Sequence, residues 1–207
     1  MSNTIKIILI ILGLILLSVI LHFNPLENLV GKVPFLGGLY DKTVLTITSK
    51  RGTLNITIDD KDYGQTPTSI EDLKPGQYTV RLERDTDSED LYEEESFLIN
   101  LYPNTESIIS LEIAPEGFKS GHILYYTSNT NDLDNRGELT ITSNAHNTDI
   151  YINKTNIQEN TQFLEPGEYE IKAQAKGYEP IEFPVIIREG YNLNTDIYML
   201  PIPVDFD

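Results

Sequence analysis

An internal repeat narrows the possible folds of this 207-residue chain more than any other feature. Leu45 to Ser49 reads LTITS, and Leu139 to Ser143 reads LTITS again, 94 positions later. At the same offset Ile56-Thr57-Ile58-Asp59 matches Ile150-Tyr151-Ile152-Asn153. Leu73-Lys74-Pro75-Gly76-Gln77-Tyr78 matches Leu164-Glu165-Pro166-Gly167-Glu168-Tyr169 at an offset of 91. Phe97, Ile99 and Leu101 match Phe183, Val185 and Ile187 at an offset of 86. Matches in one order with shrinking offsets describe a single module used twice, with longer loops in the first copy.

Each copy reads as β. LTITS, Ile56-Thr57-Ile58, Tyr78 to Leu82 and Tyr169 to Ala173 all alternate apolar and polar residues. Period-2 alternation rich in β-branched and aromatic residues marks strands with one buried face. Pro75-Gly76 and Pro166-Gly167 fit the central positions of a type II turn, where Pro presets the first φ and Gly accepts a positive second one. Ile108 to Ile113 closes the first copy, and Thr195 to Leu200 closes the second. No long amphipathic helix is apparent after residue 42. The expected body is all-β: two small β-sandwich modules in tandem, at 43–114 and 137–207 (the latter with the C-terminal tail), of about six or seven strands each. Modules this small bury only about 60% of their unfolded surface, and no disulfide can reinforce them. Mutual support is therefore expected, either between the copies or from the connector 115–136. Within that connector His122 to Thr127 reads as a strand that could add to a sheet edge.

The N-terminus has a different character. Ile5 to Phe23 is apolar over 19 residues, with Lys6 as its one charge. A helix of that length, at ~1.5 Å per residue, spans roughly the ~30 Å hydrocarbon core. The apolar residues occur all round rather than on one stripe, which argues against a buried core helix. The run exceeds a signal-peptide core, and no small-x-small cleavage site follows His22-Phe23-Asn24-Pro25-Leu26. Residues 1–23 therefore read as an uncleaved transmembrane anchor with its helix at 5–23. Lys6 and the α-amino group place the N-terminus in the cytoplasm and the body outside. Residues 24–42, broken by Pro25, Pro34, Gly31, Gly37 and Gly38, read either as a juxtamembrane linker or as an interfacial segment resting Phe35, Leu36, Leu39 and Tyr40 on the membrane.

Charge and composition exclude several functions. Lys and Arg number 15 against 32 Asp and Glu, a net charge of -17, and the excess lies in residues 43–207. Without excess positive charge, nothing displaces counterions from nucleic-acid phosphates, so no nucleic-acid partner is expected. The absence of Cys removes disulfides, thiol catalysis and Cys-ligated metals. Residues 83–95 hold eight carboxylates and one Arg where the first copy has an insertion. Asp85-x-Asp87-x-Glu89 imitates a calcium loop, but Asp90 and Ser96 stand where that loop needs Gly and Glu. The run reads as a solvated hairpin tip, and Asn129 to Asn135 as an Asx-rich turn. His122 and His146 lack neighbouring carboxylates at ligand or triad spacing, so no catalytic, metal or cofactor-binding residue is assigned. Tyr63, Tyr125, Tyr126, Tyr151, Tyr178, Tyr191 and Tyr198 could form a sugar-stacking surface, though tyrosines in small β modules more often cap the edge of the core. The sequons at Asn55 and Asn153 both fall in expected strands.

The repeated pattern resembles the PEGA domain, a prokaryotic surface-associated β module. The first copy supplies Leu45 to Ser49, Ile56 to Asp59, Gly64-Gln65-Thr66-Pro67 and Leu73 to Tyr78. The second supplies Leu139 to Ser143, Ile150 to Asn153, Leu164 to Tyr169 and Gly177-Tyr178. Neither copy keeps the name-giving turn: Arg51-Gly52-Thr53-Leu54 and Ala145-His146-Asn147-Thr148 stand there. The resemblance implies a non-catalytic module on an exported or membrane-anchored protein. The expected function is that of a non-enzymatic structural or protein-interaction module of the cell envelope. A cell-wall carbohydrate-binding module and an accessory subunit of an envelope enzyme complex are the alternatives.

Overall fold

The computed structural model describes residues 42–87, 91–129 and 135–203. The expected anchor, and the linker apart from Lys42, lie outside the described residues. Lys42–Asp207 forms one compact unit.

The first copy contains β1 (Thr43–Thr48), β2 (Leu54–Ile58), β3 (Lys61–Gln65), β4 (Thr68–Ile70), β5 (Gly76–Arg84), β6 (Glu95–Leu101) and β7 (Thr105–Ile113). A short 3-10 turn at Pro115–Gly117 leads into β8 (Lys119–Ser128). The second copy repeats the series as β9 (Gly137–Ser143), β10 (Asp149–Ile152), β11 (Thr155–Ile157), β12 (Thr161–Leu164), β13 (Gly167–Gln174), β14 (Ile181–Ile187) and β15 (Tyr191–Tyr198). Among the described residues the body is all-β, with seven strands in each copy. No helix among the described residues is long and apolar enough to cross a membrane.

The strands form three sheets. Two have four strands each, in the orders β3-β2-β5-β6 and β11-β10-β13-β14. The third has seven strands, β12-β9-β15-β8-β7-β1-β4, and takes members from both copies. This corrects two expectations. The copies are not separate sandwiches in tandem, because one sheet serves both. Strand β8 from the connector is not an edge strand; it is the central one.

The order is symmetric about β8. On one side it runs β7, β1, β4, and on the other β15, β9, β12. Both β7 and β15 run antiparallel to β8. A half-turn about the axis of β8 therefore exchanges the copies, and it also exchanges the faces of the sheet. Side-chain alternation shows the result, since neighbouring residues of a strand point to opposite faces. Ile123 belongs to the first copy's core with Leu45, Ile47, Ile56, Val80, Ile109 and Leu111. Its neighbour Leu124, with Tyr126, belongs to the second copy's core with Leu139, Ile141, Ile150, Ile171, Phe183 and Leu193. Each four-stranded sheet thus packs on the opposite face of the common sheet. Each marginal module gains support by burying apolar surface on the strand it shares with the other.

Two local devices recur in both copies. The first closes the hairpins β2–β3 and β10–β11. Asp59 and Asp60, like Asn153 and Lys154, all have φ between 46° and 71°. Positive φ at both central residues gives the type I′ geometry that suits twisted strands. The carboxylate Oδ1 of Asp59 accepts from the N–H of Thr79, and the Oδ1 of Asn153 accepts from the N–H of Glu170, each at 2.9 Å. Asn153 therefore sits in a turn rather than a strand, while Asn55 lies on β2 as expected.

The second device is the Leu-x-Pro-Gly-x-Tyr element. Gly76 and Gly167 have φ of 157°, far from the ~80° of a type II turn, and each opens a strand. The tyrosine two residues on explains the geometry. Tyr78 donates its hydroxyl to the Lys74 carbonyl, and Tyr169 to that of Glu165, both at 3.0 Å. Each ring lies over the glycine, where an added Cβ would meet ring Cε2 at 3.8 or 3.9 Å. This is the logic of a tyrosine corner, in which a hydroxyl pins the chain a few residues upstream.

Candidate functional site

A groove of about 290 Å³ opens where edge strand β14 passes over β7 and β8. Ile108 and Leu124, cross-strand partners on β7 and β8, form its floor. Pro184, Val185 and Ile186 form one wall, and Ile186 is 47% exposed. Glu106, Glu168 and Arg188 stand at the rim. Wall and floor come from different copies, so only the shared sheet brings them together.

The polar atoms around the groove are largely engaged. Tyr126 donates its hydroxyl to the Ile186 carbonyl at 2.6 Å. Arg188 donates to the Asn104 carbonyl at 2.7 Å and holds its guanidinium 5.2 Å from the Tyr126 ring centroid. Glu106 accepts from Thr46 at 2.7 Å. Burial raises the Tyr126 hydroxyl above its ordinary pKa, with Arg188 opposing the shift. The groove therefore presents apolar side chains with an acidic rim rather than a poised acid, base or nucleophile. Strand addition along β14 is hindered, since Pro184 has no N–H to offer and Tyr126 already caps the Ile186 carbonyl.

The tyrosines separate clearly. Tyr63, Tyr125 and Tyr198 pack against the first copy's core, and Tyr126, Tyr178 and Tyr191 against the second's. Of the seven singled out from sequence, Tyr151 alone packs against neither. It lies instead on the solvent face of the β10–β13 sheet, in a hollow of about 280 Å³ lined also by Lys154, Glu170, Lys172 and Gln174.

His122 and His146 are not brought into a common site. His122 on β8 stacks on Phe183, with ring centroids 3.9 Å apart and planes 12° from parallel. Burial, assisted by Lys50, lowers its pKa to about 4, so it is neutral at physiological pH. His146 is exposed in the turn after β9. Among the described residues, no group of three or more His, Cys, Asp or Glu is placed to hold a metal ion.

The acidic run departs from its sequence reading at one end. Residues 88–90 lie outside the described residues, but Glu95 is buried at the start of β6 rather than in a solvated tip. Lys119 on β8 pairs with it at 2.5 Å, and the same ammonium lies 5.3 Å from the Tyr198 ring centroid and 5.8 Å from that of Phe97. A buried carboxylate needs such a partner. Burial and the carboxylates of Asp196 and Glu95 push the Tyr198 hydroxyl up to about 12. In the Asn-rich segment, residues 130–134 lie outside the described residues, and the Asn129 N–H donates to the Gly190 carbonyl at 3.0 Å.

The family model described as PEGA domain matches residues 42–116 and 136–201. No curated protein matches the sequence. Among solved structures, the Bacillus anthracis TIE protein is 15% identical with a TM-score of 0.27; the match covers 78% of this chain and 34% of that one. GBS52, the minor pilin of Streptococcus agalactiae, is 12% identical with a TM-score of 0.24, covering 79% of this chain and 98% of that one. This chain thus spans about a third of the TIE protein, and neither likeness is close enough to bear on function.

Proposed function

Because the chain belongs to the PEGA-domain family, we propose that it is a membrane-anchored, extracytoplasmic, non-enzymatic interaction module of a prokaryotic cell envelope. The apolar run at 5–23 supports anchorage, with Lys6 on the cytoplasmic side and the acidic body outside. The groove between β14 and the β7–β8 floor carries the interaction reading. Its occupant is a segment of an envelope protein with one or two apolar side chains flanked by Lys or Arg. The apolar side chains fill the space between Ile108, Leu124 and Ile186. The flanking cations meet Glu106 and Glu168 within a molecule of net charge -17.

Full-length protein in detergent should capture such a partner from solubilised envelopes. Capture should fall at least tenfold with Ile186→Glu, which changes a half-exposed side chain, and should weaken as salt rises. Capture indifferent to both Ile186→Glu and salt would remove the groove from the account. Turnover of a substrate by the purified protein would overturn the non-enzymatic assignment. Anchorage predicts a membrane fraction resistant to carbonate, with the body open to protease in intact cells.

A further inference from the structure

The hollow around Tyr151 differs from its counterpart in the first copy in a way that packing does not require. Aligning the copies by their registers sets Thr57 against Tyr151, Asp60 against Lys154, Thr79 against Glu170, Arg81 against Lys172 and Glu83 against Gln174. In the first copy this surface is closed on itself, because Arg81 forms an ion pair with Asp60. In the second copy the acidic turn residue has become Lys154 while the strand residue stays cationic as Lys172. Neither lysine forms an ion pair among the described residues. Tyr151 stands directly across from Lys172, in the register that holds Thr57 and Arg81 in the first copy.

Lys154 also has a φ of 71°, where glycine would fold at lower cost. A lysine there adds strain and sets a second positive charge on the surface that carries Lys172. The surrounding molecule has about two acidic residues for every basic one.

We infer that this hollow binds one ring of an anionic glycan. The Tyr151 ring supplies a stacking face for the apolar side of a sugar. Lys154 and Lys172 neutralise a carboxylate or phosphate on that ring. Gln174 offers both a donor and an acceptor to hydroxyls, and Glu170 accepts from them. The volume, about 280 Å³, lies at the lower limit for ligand pockets, which suits one residue of a polymer. The site is separate from the groove and goes beyond the protein-interaction reading.

Full-length protein in detergent is titrated with an oligogalacturonate, a phosphomannan oligosaccharide, neutral dextran and polyglutamate. Saturable binding of the oligogalacturonate or the phosphomannan oligosaccharide is expected, and which one binds identifies the acid as carboxylate or phosphate. Lys154→Gly should weaken it at least tenfold while the melting temperature holds or rises, since glycine relieves the turn. Lys172→Gln and Tyr151→Ala should each weaken it similarly, and Ile186→Glu should leave it unchanged. The inference is overturned if neither anionic glycan binds, or if polyglutamate or dextran binds as tightly. Binding that survives Tyr151→Ala or Lys154→Gly overturns it equally.

Discussion

The central position of β8 makes the body one cooperative unit, and Ile123→Ala tests this. Ile123 is 1% exposed and packs into the first copy's core from the shared strand. The substitution removes three carbons, which at ~0.8 kcal/mol each is about 2.4 kcal/mol of transfer free energy. The cavity left between two sheets raises the cost, so about 3–4 kcal/mol is expected, within the usual range of 2–5 kcal/mol. For a body of this size each kcal/mol moves the melting temperature by roughly 2–4 °C, giving a fall of roughly 6–16 °C. Urea and thermal unfolding followed by circular dichroism should show one transition before and after the change, shifted as a whole. Leu124→Ala, which opens the other core from the next residue, should shift the same single transition. Two resolved transitions, with Ile123→Ala moving one and Leu124→Ala the other, would show that the copies fold independently and refute the reasoning.

Gly121 on β8 has a φ of 140°, and a Cβ there would lie 1.9 Å from the Ser110 carbonyl oxygen, so Gly121→Ala should cost about 3 kcal/mol or more in urea unfolding. Tyr78→Phe and Tyr169→Phe each delete one hydroxyl bond and should each cost about 0.5–1.5 kcal/mol, with the double variant additive because the corners lie in different copies. His122 is held neutral with a pKa of about 4 against an ordinary 6.5, so the unfolded chain takes up its proton first and stability falls as pH drops from about 6.5 towards 4. At ~1.4 kcal/mol per pH unit the loss is bounded at roughly 3 kcal/mol, and His122→Gln should flatten that limb of the stability–pH curve.

The strands were legible because each repeat alternates with period 2, which bounded their number at about six or seven per copy where the structure has seven. The place of β8 was also written in the sequence, in a different signal. His122-Ile123-Leu124-Tyr125-Tyr126 carries bulky side chains at both parities, which is the pattern of a strand covered on both faces. An edge strand would have kept one polar face. The Pro-Gly pairs suggested a type II turn from composition alone, whereas the tyrosine two residues later sets the backbone. Six of the seven tyrosines pack against a core, as tyrosines of small β modules commonly do. Tyr151 escapes it because it occupies the polar position between Ile150 and Ile152. The groove could not be read from sequence, since Ile108 and Ile186 meet only through the half-turn that β8 imposes.

That half-turn bears on where function can reside. If each copy acted alone, corresponding positions would carry similar chemistry. They do not. Ile108 in the groove floor answers to Asn194, Ile186 in its wall to Asn100, and Glu168 at its rim to Gln77. In the first copy Gln77 donates to Asn100 at 3.3 Å, and on β15 of the second Asn194 donates to Thr127 on β8 at 3.2 Å, so the polar groups at these positions find partners. The apolar groove therefore belongs to neither repeat. It forms where the second copy's edge strand reaches the first copy's last strand, and it needs both copies and β8 at once. A chain cut at the connector would lose the groove even if each half stayed folded, which ties the proposed partner binding to the fusion of the repeats.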